Sequence, residues 1–398
     1  MIKVFRYLLY TLFIPFWWLQ LIIPRNRNIW IFGAWFGEKF SDNSRALIEY
    51  IRNEHAEIKT VWLSRNVKVI EHLRKEGICC YNINSVKGIY FSLIAKYIVV
   101  SNSKRDINAF FINGGKSVQL WHGVPMKKIG VDSKQHTLSI LQKILFKYFF
   151  PFKYEYNYSN YLSTSPIFDS IICTAFVAQP EKLIHAGYPR NDMLKNNQIT
   201  DSVIKNLKED FKDAKVIGYF PTHRGDYISN IDYFTNNSFD KNRFNQFLHQ
   251  NNLLFVYKGH FFVNEKKKLE LDDNSDNRIY QVLDDEMLNF NSLLVDVDIL
   301  ITDYSGAYFD FLLTQKPIIF FPYDLKEYMS DDRGLYFDYF RDIVCGPVVY
   351  NWEEVIVAIQ NLIKHDDYKE KRKNKNKQYN FYCDNKNSER IFQQMYLK

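Results

Sequence analysis

The run Asp298-Ile-Leu-Ile-Thr-Asp-Tyr-Ser-Gly-Ala-Tyr-Phe-Asp310 passes from an apolar stretch through small polar residues into helical spacing. It predicts a buried strand, a tight turn and a helix whose first N–H groups and positive dipole end meet the turn, a ready place for phosphate. Ser305 would cap that helix and donate its hydroxyl. Thr302 and Asp303 would frame the turn, Gly306 would offer a backbone N–H, and Asp310 would lie one to two turns further on, on the side of the turn. Buried strands often end in Asp or Ser caps, so a single turn says little. Here the arrangement recurs with other chemistry. Ser117–Trp121 runs into His122-Gly123-Val124-Pro125, and Val216–Phe220 into Pro221-Thr222-His223-Arg224. Leu253–Tyr257 runs into Lys258-Gly259-His260, and Lys316–Phe321 into Pro322-Tyr323-Asp324. Ligands of open α/β sheets bind beyond the carboxyl ends of the strands. His, Arg, Lys, Ser and Asp gathered at those ends read as a diphosphate site.

The elements that would carry these side chains alternate along the chain. Strands are expected at 29–32, 60–63, 97–101, 118–121 and 161–163, with helices at 44–54, 67–75 and 86–95 between them. The second half continues with strands near 216–220, 253–257, 299–301 and 317–321. Such alternation specifies parallel sheets covered on both faces. Gly187-Tyr-Pro-Arg-Asn-Asp192 and the polar run after it mark an interdomain crossing. The expected architecture is α/β and GT-B-like: two facing, doubly wound Rossmann-like domains with the site in the cleft. Residues 28–192 form the first domain, 193–365 the second, and 366–398 a helical tail that crosses back.

The bulk numbers agree with this outline. The 398 residues suffice for two domains, and 46% hydrophobic residues can build their cores. A net charge of +7 suits anionic substrates or anionic lipid surfaces. No Lys/Arg stripe accompanies a nucleic-acid motif, so no nucleic-acid partner is expected. Five cysteines without paired metal spacing imply a reducing compartment and no zinc site. Asp296-Val-Asp298 looks like an Asp-x-Asp metal motif, but it precedes a strand, which puts its carboxylates at the amino end. Cationic side chains and a helix end at the diphosphate make a metal or other cofactor unnecessary.

Residues 1–27 form a hydrophobic membrane-associating segment. Val4 to Ile23 is apolar and aromatic, with Pro15 inside and Pro24-Arg25-Asn26-Arg27 after it. It is about long enough to span a bilayer, while Trp17-Trp18 and the basic flanks suit an interfacial anchor equally well. A domain-capping helix is the alternative. No small-residue cleavage site follows, so a cleaved signal peptide is not expected. Residues 134–161 hold a second amphipathic stretch. Leu138, Leu141, Ile144, Leu145, Tyr148 and Phe149 share one helical face, and Lys143 and Lys147 another, as for a membrane-surface insertion or an ordinary core-facing helix.

Taken in order, eight segments resemble the CDP-glycerol glycerophosphotransferase family, which includes teichoic acid primases, polymerases and capsule enzymes. They are Trp121–Gly130, Gly187–Asp192, Phe220–Arg224, Lys258–His260, Asp298–Asp310, Lys316–Phe320, Tyr323–Tyr328 and Arg333-Gly334. Two positions depart from the family pattern: Phe261 follows His260 where proline is usual, and Gly306 stands where a second serine is common. The resemblance implies a GT-B fold, a CDP-linked polyol donor (CDP-glycerol or CDP-ribitol) and a lipid-linked acceptor at the cytoplasmic face of the cell membrane. An acceptor hydroxyl would attack the β-phosphorus and release CMP. His122 would be the base, with Gly123 letting the backbone approach the substrate. His260 and Lys258 would offset charge on the leaving CMP. Arg224 would fork onto phosphate and Arg333 would reach the donor from a loop. Lys127, Lys128 and Arg190 would lie on the acceptor side. The plain structural alternatives are a packed turn for His122, a salt bridge for Arg224, capping alone for Ser305 and a purely structural Asp303. The competing functions are a ribitol phosphate transferase, a GT-B enzyme using a nucleotide sugar, and a non-catalytic membrane-bound partner of a polymer assembly complex.

Overall fold

The computed structural model describes residues 2–133, 156–196, 203–222, 239–259, 277–283, 287–329 and 334–397, with isolated positions at 139, 142, 148–150, 152 and 285. His260, Arg224, Arg333 and most of the expected amphipathic insertion lie outside the described residues.

Among the described residues twelve strands build two parallel sheets. In the first, β1 (Asn26–Gly33), β2 (Lys59–Ser64), β3 (Cys80–Asn82), β4 (Ala95–Val100), β5 (Lys116–Gln119), β6 (Asn160–Ser163) and β7 (Leu183–His185) lie in the order β3-β2-β1-β4-β5-β6-β7. In the second, β8 (Lys215–Tyr219), β9 (Leu253–Tyr257), β10 (Ile279–Gln281), β11 (Ile299–Thr302) and β12 (Ile318–Phe320) lie in the order β10-β9-β8-β11-β12. Every pairing is parallel, for example Phe32 with Val99 and Leu300 with Gly218. Parallel strands covered on both faces read as unbroken apolar runs, and β9 and β11 are buried at every position. Strands β3, β7 and β10 were not among the sequence expectations. Each has three residues of which one is buried, so none carries an apolar run.

Strand order reverses between β1 and β4 in the first sheet and between β8 and β11 in the second. Crevices at such reversals are where open α/β sheets bind ligands. The loops after β1 and β5 face those after β8, β9 and β11 across the boundary between the sheets. The core of the second sheet centres on Trp352, whose ring meets Tyr219 at 5.7 Å, Phe244 at 5.5 Å and Phe321 at 5.3 Å.

The C-terminal helices return to the first sheet. In Asn387–Tyr396, Phe392 stacks on His55 at 3.7 Å and on Trp30 at 5.6 Å. Asp192 caps this helix, accepting from Asn387 N at 3.0 Å and Ser388 N at 2.9 Å. Exposed backbone N–H groups at a helix start need such acceptors.

At the other end, the helix Ile2–Leu19 contains Pro15. Phe13 packs against Phe110 and Phe111, and Trp17 is buried against Phe152. Gln20 donates to Phe110 O and accepts from Asn113 N, while Arg25 donates to Ser92 O and Asn113 O. The opposite side leaves Leu12, Trp18, Leu19 and Ile22 exposed. Among the described residues no helix is long and apolar enough to cross a membrane.

Candidate functional site

A cavity of about 240 Å³ opens between the two sheets, lined from the first by Trp35, Asp42, His122 and Arg190 and from the second by Lys258 and Ser305 among others. His122 follows β5 on a turn of unusual backbone. Trp121 before it has φ +58°, and Gly123 after it has φ +137°. A tryptophan there carries strain. At Gly123 a Cβ would lie 3.1 Å from Arg190 Nη2, so glycine leaves room for the guanidinium. His122 Nδ1 is 3.2 Å from Ser101 O at the end of β4. A carbonyl only accepts, so Nδ1 carries the hydrogen and Nε2 is the unprotonated nitrogen. The imidazole sits between the rings of Trp121 (4.2 Å) and Trp35 (6.0 Å). Burial lowers its pKa below 6.5, with Asp42 and the Ser101 bond opposing and Arg190 adding to the effect.

Arg190, expected on the acceptor side, is buried in ion pairs. Nη1 donates to Asp42 Oδ1 at 2.8 Å and to His122 O at 2.9 Å; Nη2 donates to Asp310 Oδ2 at 2.6 Å. Asp42 belongs to the first sheet's layer and Asp310 to the second's, so the guanidinium spans the boundary. Burial alone would lower its pKa, but Asp310 and then Asp42 outweigh that and raise it. The other oxygen of Asp310 accepts from Asn191 Nδ2 at 2.9 Å, and Asn191 Oδ1 accepts from Asn291 at 2.8 Å. Asp310 therefore lines the cavity with both oxygens already bonded.

Asp303 is buried and accepts from Thr222 N (3.0 Å), Thr222 Oγ1 (2.7 Å) and Tyr304 N (2.5 Å), tying the end of β11 to the end of β8. Thr302, at the strand end beside it, is fully buried. Ser305 Oγ accepts from Ala307 N at 3.3 Å at the start of the short helix Ala307–Phe311, and Ser305 and Gly306 both line the cavity. Lys258 lines it from the end of β9 and donates to Gly259 O at 3.4 Å. Lys127 and Lys128 lie on the loop after His122 that pairs with the second unit. Lys128 N donates to Gly334 O at 3.0 Å, and Lys127 Nζ lies 3.9 Å from the Tyr328 ring centre. Asp298 sits at the amino end of β11, where it accepts from Val216 N at 2.9 Å and pairs with Lys208 and Lys316.

Sequence reasoning passed over the first turn of the helix Asp42–Glu54. Asn43 Nδ2 donates to Trp121 O at 2.7 Å, Asn43 Oδ1 accepts from Arg190 N at 3.2 Å, and Ser44 Oγ meets Ser101 Oγ at 2.7 Å. The signal was the run Ser41-Asp42-Asn43-Ser44, which marks a helix start without announcing what its side chains hold. Trp35 and Asp106 were also missed. Asp106 accepts from Phe36 N at 2.8 Å and Ser101 N at 3.0 Å, fixing the loops after β1 and β4 together.

Two parallel sheets with a shared cavity at both strand-order reversals define an α/β protein with a ligand cleft. The family model for CDP-Glycerol:Poly(glycerophosphate) glycerophosphotransferase matches residues 16–397, and the chain belongs to that family. It is 32% identical over 353 residues to the teichoic acid poly(glycerol phosphate) polymerase of Bacillus subtilis, covering 87% of this chain and 45% of that protein. It is 30% identical over 342 residues to the teichoic acid glycerol-phosphate transferase of Staphylococcus aureus, covering 85% of this chain and 84% of the relative. The chain thus spans under half of the first relative's length and most of the second's. A solved variant of the wall teichoic acid polymerase TagF, soaked with CDPG, has the same fold, with a TM-score of 0.71 and 21% identity over 94% of this chain and 89% of that one.

Asp310→Ala would leave Arg190 with one carboxylate and Asn191 without its acceptor. Breaking one arm of a buried ion pair costs about 3–5 kcal/mol. Urea denaturation of Asp310→Ala against wild type is expected to show a loss of that size, and an unchanged midpoint would remove the bridge from the protein's stability.

Proposed function

We propose that the chain transfers glycerol phosphate from CDP-glycerol to a hydroxyl of a lipid-linked acceptor, in the assembly of a teichoic acid or capsule polymer. The acceptor oxygen forms a bond to the β-phosphorus, the bond from that phosphorus to the oxygen of CMP breaks, and the hydroxyl proton passes to His122. The observation that carries this reading is the state of His122. Its Nδ1–H is pinned to Ser101 O, which leaves Nε2 to take a proton, and burial keeps the ring neutral. Family membership supports the donor. Lys258 and the Ser305-Gly306 turn, on the opposite wall, supply positive charge and donors for the diphosphate. His260, Arg224 and Arg333 are proposed to add to that cationic lining. No step in this scheme calls for a metal.

We further infer that the protein works seated on the cytoplasmic membrane face, where a lipid-linked acceptor is found. Leu12, Leu19 and Ile22 are 77%, 57% and 79% exposed, and Trp18, Tyr148 and Phe149 are about half exposed. An apolar and aromatic face on a helix anchored to the domain by its other side suits an interfacial position, and a net charge of +7 favours anionic lipid.

Purified protein given CDP-glycerol and a membrane lipid extract is expected to release CMP. His122→Ala should lower the rate by roughly 10²–10⁴-fold, the usual contribution of a positioned acid or base, while donor binding persists. Full activity in the variant would exclude His122 as base, and turnover of CDP-ribitol in place of CDP-glycerol would reassign the donor.

The pH dependence has a definite sign. The base must be neutral, and burial lowers its pKa, so activity is retained below pH 6.5 and lost as pH falls through the lowered value. Between those two values the unfolded chain binds more protons at this ring than the folded one. The ring's contribution to stability is therefore complete above 6.5 and falls over the same window. A kcat/KM profile whose acid limb lies above 6.5 would contradict the assignment.

Membrane seating is checked by co-sedimentation with phosphatidylglycerol vesicles. Leu19→Ser combined with Ile22→Ser should weaken binding by about tenfold or more, given roughly 1.5–3 kcal/mol per buried aliphatic side chain. Equal binding by both proteins would place the contact elsewhere.

A further inference from the structure

The first turn of the helix Asp42–Glu54 stands behind the cavity wall, and its side chains reach the backbone on which His122 sits. Asn43 Nδ2 donates to the carbonyl of Trp121 at 2.7 Å, and Arg190, which shares Asp42 and Asn43 as partners, donates to the carbonyl of His122 at 2.9 Å. Two successive carbonyls of the turn are therefore held, one in each of the two peptides that flank the His122 Cα. Ser44 provides a third tether. Its backbone N–H donates to Ser101 Oγ at 3.1 Å and its hydroxyl meets the same oxygen at 2.7 Å, and the carbonyl of Ser101 receives His122 Nδ1. Trp121 has φ +58°, a conformation that a tryptophan leaves unless something holds it. Asn43 and Ser44 are fully buried and touch no cavity surface, so their polar groups are committed to these bonds.

We propose that Asn43 and Ser44 are positioning residues for the transfer reaction: they fix the strained turn and the carbonyl that together set the place and tautomer of His122. Through Arg190 the same turn is tied to Asp310, so the imidazole is set only when the two units are docked. The proposal rests on His122 being the base, and its test separates the two ideas. The charged groups nearest the ring are Asp42 and Arg190, and neither is altered in the variants.

The experiment compares wild type, Asn43→Ala and Ser44→Ala in three measurements: CMP release, calorimetric binding of CDP-glycerol, and NMR titration of the His122 ring in histidine-labelled protein. A catalytic group displaced by about an ångström loses on the order of 10²-fold in rate. Asn43→Ala is expected to lower kcat by roughly 10- to 100-fold and leave the donor Kd within about twofold. Its His122 titration should move up toward 6.5, and the acid limb of the rate profile should move with it. Ser44→Ala should show a smaller loss of kcat, with the His122 titration moved down rather than up, because the Ser101 bond it loosens is one that raises the ring's pKa. If Asn43→Ala does not fold, Ser44→Ala carries the same readouts, because it removes one hydroxyl without opening a large cavity. Unchanged kcat, or a lower kcat with the His122 titration unmoved, would overturn the proposal. Retained activity in His122→Ala would instead sink the assignment of the base, and the ring titration in Asn43→Ala would still decide whether Asn43 places the imidazole.

Discussion

Arg190 is a buried cation that neither half of the molecule can satisfy alone. Its guanidinium draws on Asp42 from one unit and Asp310 from the other. A buried charge stripped of a partner is costly, and attraction in a low-dielectric setting offsets desolvation only when the geometry is good and the remaining donors are used. Here one donor also meets His122 O, and the opposite oxygen of Asp310 is taken by Asn191. The bridge between the two sheets is thus also part of the cavity wall. The segment that carries Arg190 ties in the rest of the chain as well: Asn191 reaches Asn291, and Asp192 caps the C-terminal helix. Contacts that would otherwise be scattered converge on the segment Arg190-Asn191-Asp192.

Strain in the turn Trp121-His122-Gly123 has meaning against that background. Left-handed backbone at a tryptophan costs of the order of 1–3 kcal/mol, and a short loop on an edge would relax it. This turn is partly buried, bonded at two carbonyls, and crossed by a guanidinium that would lie 3.1 Å from a Cβ at 123. The surroundings over-determine the backbone, and the result is an imidazole with one nitrogen committed to a carbonyl and its pKa lowered by burial. A histidine on a solvated loop would share neither property.

Much of this was legible in the sequence, for a physical reason. Parallel strands buried on both faces leave apolar runs that end abruptly, and His122, Lys258 and Ser305 stand where those runs stop. Strands β3, β7 and β10 were not legible, since one buried residue in three makes no pattern. Nor were the roles of Asp42, Asn43 and Ser44, which look like an ordinary helix start. Their partners lie far away in sequence: 148 residues separate Asp42 from Arg190, and 78 separate Asn43 from Trp121. The family resemblance put Arg190 on the acceptor side. No local pattern discloses that its charge is consumed by two carboxylates. Pairings over such distances are a property of the folded topology alone.

The two walls of the cleft then differ in kind. The wall from the first sheet is specified by buried polar bonds and holds a ring whose neutral form is favoured. The wall from the second is closed at its base by Asp303, which binds Thr222 and so joins β8 to β11, while Ser305, Gly306 and Lys258 line the opening. Gly306 illustrates the difference. Its φ of −60° needs no glycine, and an added Cβ would come to 3.4 Å of Val124 O, an ordinary contact. The serine common at this position in the family would therefore fit without moving the backbone. What glycine removes is one hydroxyl, and the Gly306 N–H that remains is the kind of donor a phosphate at a helix start uses first. A substitution at Gly123 has no such freedom, because its φ of +137° strains any other residue and an added Cβ would come to 3.1 Å of Arg190 Nη2. Tolerance at Gly306 and intolerance at Gly123 follow from which wall carries the buried charge.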